Sequence, residues 1–117
     1  VTGKNTKGAV IRYLAEVHEK CVKEGISALL IEENLEGKSL GAFDVYDVVR
    51  QGSKVVRPIL KSIAFVDVNP EHDREVMKFA QTVAVNRLVN MRVFTSVGEA
   101  GRWLDELAKV EGAGSAG

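Results

Sequence analysis

The sequence predicts an α/β fold: a small layered domain whose mostly parallel sheet has four to five strands covered by helices. Three observations carry this. Short apolar runs of strand length alternate along the chain with longer stretches whose apolar residues recur every three or four positions. Strands that alternate with helices pair in parallel through right-handed crossovers. A length of 117 residues with 45% hydrophobic content suits one domain around one core.

Val1 to Gly3 reads as the tail of a strand, and the start at Val1 rather than methionine raises the expectation of residues upstream. Asn5 or Thr6 caps a helix running to about Lys23. Its inner stripe is Val10, Leu14, Val17 and Cys21, with Ile11 and Tyr13 flanking. Gly25 ends it in a left-handed conformation. Ile26 to Ile31 is the next strand, followed by a polar loop from Glu32 to Gly41. Ala42 to about Gln51 is a helix with Phe43, Val45, Tyr46, Val48 and Val49 as its apolar positions. Pro58 limits Ser53 to Leu60 to a helical turn or packed loop.

Ser62 to Leu88 is the most fully punctuated stretch. Ile63 to Val68 is a strand buried on both faces. Asn69 caps the next helix and Pro70 takes its first position, with Val76, Phe79, Ala80, Val83 and Ala84 as the stripe. Glu71 and Asp73 then fall in a first helical turn, where the dipole favours acids. Met91 to Phe94 is a short strand. Ser96 and Glu99 form a capping box before the last helix, whose inner face is Val97, Ala100, Trp103, Leu104 and Leu107. The domain therefore spans residues 1–110, and the Gly- and Ala-rich residues 111–117 are expected as a flexible tail.

Charge and motifs narrow the function classes. Sixteen basic residues balance sixteen acidic ones, so no strong field draws in nucleic acid. The apolar runs fall short of the ~20 residues of a membrane helix, so no membrane insertion is expected. Cys21 is the lone cysteine, which excludes an internal disulfide and suits a reducing cytoplasm. On the inner stripe it is a small core hydrophobe rather than a nucleophile, and His18, three residues away, sits off that stripe. No cofactor fingerprint is present. Glu32, Glu33, Glu36, Asp67, Glu71, His72 and Asp73 follow no metal-ligand spacing, so no metal is expected.

The stretches IAFVDVNPEHDREVMKFAQTVAVNR (Ile63–Arg87) and MRVFTSVGEAGRWL (Met91–Leu104), in this element order, resemble the SpoIIAA-like, or STAS, superfamily. More closely, they resemble bacterial proteins that share this fold with CRAL-TRIO lipid-transfer domains. The resemblance covers about residues 1–110. It implies one of three roles: an anti-sigma-factor antagonist phosphorylated on a serine, a regulatory STAS domain, or a lipid-holding domain. The antagonist motif runs aspartate, serine, serine, glycine, leucine at a helix start. Here Gly37, Lys38, Ser39, Leu40 and Gly41 stand there, so Ser39 matches in type while Leu40 and Gly41 come in reversed order.

The expectation is a non-enzymatic cytoplasmic domain that acts through protein contacts, as a homodimer or on a signalling partner. Its surface is the helix after Gly41, rich in apolar side chains, beside the loop Glu33 to Leu40, with Ser39 as candidate phosphoacceptor. The alternative is a carrier of a small apolar or lipid-like ligand. Its pocket lies between the sheet and the Ala42 helix, lined by Phe43, Tyr46 and Ile59. Polar groups at the carboxyl ends of the strands, Glu33, Asp67 and Asn69, mark the edge where open α/β sheets bind ligands. A third reading makes Glu33 and Asp67 an acid/base pair.

Overall fold

The computed structural model describes the backbone of residues 1–56 and 60–116 and the side chains of residues 1–54 and 60–109. The elements follow the expected order: β1 (Thr2–Lys4), α1 (Lys7–Glu24), β2 (Ala28–Glu36), α2 (Ala42–Val56), β3 (Ser62–Asp67), α3 (Arg74–Asn86), β4 (Met91–Phe94) and α4 (Val97–Ala116). The four strands form one parallel sheet in the order β1-β2-β3-β4.

That order decides where the helices go. Three successive crossovers of one hand, stepping the same way across a sheet, place their helices on one face. Accordingly Tyr13, Leu14 and Val17 of α1, Val49 of α2 and Ala84 of α3 pack over Leu29, Ile31, Ile63 and Phe65. The opposite face is left to α4. There Ala100, Trp103 and Leu104 meet Leu30, Ala64, Val66 and Phe94. Ala64, Val66 and Ala100 have no exposed surface, and the Phe94 and Trp103 rings lie 5.7 Å apart at 50°. Burial on both faces explains why β3 reads as a continuous apolar run.

Several boundaries differ from the sequence reading. β2 continues five residues past Ile31, through much of the expected polar loop. Its second half alternates: Glu33 and Leu35 are buried while Glu32, Asn34 and Glu36 are exposed. The polar residues there mark a one-sided stretch whose last three residues pair with β1. Register splits along β2, with Ala28–Glu33 opposite Ser62–Asp67 and Asn34–Glu36 opposite Thr2–Lys4.

Asn69 and Pro70 do not start α3. The helix begins at Arg74, and Asp73 is its cap, accepting from the Glu75 N–H at 2.8 Å. Residues 69–72 instead form a turn that carries His72 inward, so Glu71 precedes the helix. α2 runs on through Gly52 to Val56, and the Ser53 hydroxyl donates to the Val49 carbonyl at 2.6 Å. α4 continues through Ala116, over most of the expected tail, with no proline to stop it.

The remaining punctuation agrees. Thr6 caps α1, and Gly25 closes it at φ 68°. Val10 and Cys21 are buried on its stripe, and burial pushes the Cys21 thiol up. The Ser96 hydroxyl accepts from the Glu99 N–H at 3.2 Å.

Candidate functional site

The alternation of the sheet faces builds the site. On the three-helix face, β2 presents Leu29, Ile31, Glu33 and Leu35, and β3 presents Ile63, Phe65 and Asp67. Each series is apolar until an acid interrupts it. Glu33 and Asp67 are register partners, so the two carboxylates stand side by side on adjacent strands. They are only 5% and 7% exposed, in a layer where acids are rare unless partnered.

The partners come from α1 and from the turn between β3 and α3. The Tyr13 hydroxyl of α1 donates to Glu33 Oε2. His72, 7% exposed, reaches back from the turn before α3, with Nδ1 2.6 Å from Asp67 Oδ2. Its Nε2 lies 3.0 Å from the Gly37 carbonyl, which only accepts, so Nε2 carries hydrogen. Asn69 fixes the same turn: its backbone N–H donates to Asp67 Oδ1, its amide donates to the Leu35 carbonyl at 2.7 Å, and its Oδ1 accepts from the Glu71 N–H. Asn5 donates to the Lys38 carbonyl at 2.9 Å. The Ser39 hydroxyl accepts from the Asp73 N–H at 2.5 Å. The loop after β2 is thus laced to β1 and to the turn after β3.

Electrostatics follow from this burial. Desolvation pushes the Glu33 carboxyl above its ordinary value; the Tyr13 bond opposes this, neighbouring Asp67 adds to it, and His72 opposes it. Burial, then the Glu33 charge, pushes the Tyr13 phenol far up. Glu33, Asp67 and His72 each bring a ligand atom within 4.8 Å of the others, a grouping that would suit a metal ion. Yet Asp67 Oδ2 and both His72 nitrogens are engaged with each other and with Gly37, and Glu33 Oε2 with Tyr13. Of these carboxylate oxygens, Glu33 Oε1 alone accepts no hydrogen bond among the described residues.

This polar cluster closes one end of a cavity of about 430 Å³ between the sheet and the layer of α1, α2 and α3. Apolar side chains form most of the wall: Leu14, Val45, Val48, Val49, Ile63, Phe65, Met77 and Ala80 among them. Tyr13, Glu33, Ser39, Asp67 and His72 line it too. His18 lies on the wall, its buried Nε2 without a hydrogen-bond partner among the described residues.

The residues expected at a site are only partly brought together. Glu33, Asp67 and Ser39 line the cavity, and Asn69 supports it from behind. Phe43 and Tyr46 do not line it. They lie on the outer face of α2, 84% and 40% exposed, because Val45, Val48 and Val49 take the inward positions. The Tyr46 hydroxyl instead accepts from Arg87, the residue that closes α3, at 3.0 Å. Ile59 lies outside the described residues. Tyr13 and His72 are the partners that sequence reasoning undervalued. The inward acids were the available signal, hidden by ending β2 at Ile31.

No family model matches the chain, and neither a curated protein nor a solved structure matches it. No helix among the described residues is long and apolar enough to cross a membrane.

Proposed function

We propose that the protein is a non-enzymatic carrier or receptor for a small, largely apolar molecule, held between the sheet and α2. One observation carries this reading: the cavity of about 430 Å³ has apolar walls and a buried polar cluster at one end. Small-molecule sites are commonly about 300–1,000 Å³, apolar, with a few fixed polar groups that orient the ligand. Binding is favoured over catalysis because both nitrogens of His72 are engaged, leaving no free base there. The CRAL-TRIO side of the resemblance agrees with a carrier. Native mass spectrometry on protein purified without denaturation tests it. The expected result is an adduct of small-molecule mass that is lost in Ala80→Phe, which fills the cavity; an adduct-free protein that also takes up no added apolar probe would refute it.

A second reading rests on a different observation, the exposure of Phe43 on α2. It makes that face a contact for a second copy or for a signalling partner, as the STAS side of the resemblance implies, in a cytoplasmic setting. Ser39 suits a phosphoacceptor less well, since a phosphate there would stand against the Asp73 cap. Sedimentation velocity separates the readings: a dimer that Phe43→Ser dissociates supports the contact, and a monomer at high concentration removes the homodimer.

A further inference from the structure

The charge of the cavity wall identifies the head group of its occupant. Glu33, Asp67 and Asp73 line the cavity, and the described lining residues include no lysine or arginine. An anionic head would therefore meet carboxylates without a free cation. His72 is not free to supply one, because Nδ1 is engaged with Asp67 and Nε2 with the Gly37 carbonyl. Nor does Tyr13, whose hydroxyl hydrogen goes to Glu33. The Asn5 amide is taken by the Lys38 carbonyl. Two groups of the wall are left over: the imidazole of His18 at Nε2, and an acceptor on Glu33. Glu33 is 5% exposed, and among the described residues its second oxygen, Oε1, receives no hydrogen bond. A carboxylate oxygen at the edge of an apolar cavity is costly until a donor arrives.

We propose that the occupant is an apolar amine, its ammonium group seated on Glu33 and its hydrocarbon body lying between α2 and the sheet. The inference rests on the carrier reading and gives it a ligand class. An ammonium brings both the hydrogen and the opposite charge that Glu33 lacks, and a charge-assisted bond in a site shielded from water is stronger than a neutral one. A fatty carboxylate of the same length offers neither.

Three probes of equal chain length test this: octylamine, 1-octanol and octanoate, each titrated calorimetrically into the full chain at pH 7. Octylamine is expected to bind at least about tenfold more tightly than 1-octanol, with octanoate weakest. Glu33→Gln keeps the shape and removes the charge, and should abolish the lead of the amine over 1-octanol. Octanoate binding as tightly as octylamine, or a lead that survives Glu33→Gln, would overturn the proposal. The comparison of probes on the unmodified chain stands even if that variant does not fold. If 1-octanol binds and the amine has no lead, the head-group assignment fails and the carrier reading stands. If none of the three binds, both fall together.

Discussion

Asp67 Oδ2 and His72 Nδ1 stand 2.6 Å apart, with side chains 6% and 3% exposed, although only five residues separate them in the chain. The last residue of β3 and the turn before α3 are thereby closed on each other. The closure delays the helix to Arg74 and holds the Gly37 carbonyl over the imidazole.

Removing one partner of such a pair strands the other in the interior. Asp67→Ala is expected to lower unfolding stability by about 3–5 kcal/mol. Domains of this size have about 5–15 kcal/mol in total, so the variant should sit close to unfolding. Asp67→Asn keeps an oxygen for the Asn69 N–H and should lose less. Urea denaturation followed by circular dichroism measures both. A loss under about 1 kcal/mol for the alanine variant would mean that the pair does not hold this corner.

Glu33 makes stability depend on pH in a definite direction. Burial raises its carboxyl above the ordinary 4.5, so the folded state holds the proton more tightly than the unfolded chain. The stability that this proton contributes is whole below pH 4.5 and is lost as pH rises through the folded value. Glu33→Gln has no such proton to lose. The variant should therefore gain on the parent chain between pH 4.5 and neutrality, by denaturation at matched ionic strength. A difference that stays flat over this range would show that Glu33 titrates as it does in water.

Much of this architecture could be read from residue patterns. The parallel α/β plan followed from alternation of periods, and Thr6, Gly25 and Ser96 marked helix ends by chemistry that acts locally. The site was harder because its logic is not local. Glu33 and Asp67 become neighbours only through the β2–β3 register, and Tyr13 meets Glu33 across 20 residues. Asn69 and Pro70 carry a correct helix-start signature. It was overridden because the imidazole of His72, once inside, forces those residues into a turn. The faces of α2 stayed open for a similar reason: it has apolar residues on both sides, and only packing shows that Val48 is inside and Phe43 outside.

Asp47 ties α1 to α2 through an arrangement with the opposite pH response. Its carboxylate lies 2.5 Å from Lys7 Nζ and 3.0 Å from Arg50, and accepts from Gln51 at 3.1 Å. The Lys7 bond, then those to Arg50 and Gln51, hold the carboxyl well below its ordinary 3.8. The stability it contributes is present above pH 3.8 and is lost as pH falls through the folded value. Asp47→Asn should lower the melting temperature slightly at pH 7, and the deficit should close in stronger acid. Solvent screens these groups, so added salt should shrink it too. A deficit indifferent to both acid and salt would point to lost packing instead.

The end of α3 offers a gain rather than a loss. Val89 donates to the Ala84 carbonyl and Leu88 to that of Val85, both at 3.0 Å, the paired bonds of a left-handed helix stop. Ala84 and Val89, 1% and 4% exposed, supply its usual apolar contact. The left-handed residue is Leu88, at φ 65°, where glycine normally stands. A side chain in this conformation costs about 1–2 kcal/mol, and Leu88, 76% exposed, recovers little by packing. Leu88→Gly removes the strain but adds freedom to the unfolded chain, which offsets about 0.4–1 kcal/mol. The expected net gain is about 0.5–1 kcal/mol. Leu88→Ala is the control: it loses the same exposed contacts, keeps a Cβ, and should gain nothing. Equal stability of the glycine and alanine variants in denaturant would show that the left-handed turn carries no strain for glycine to relieve.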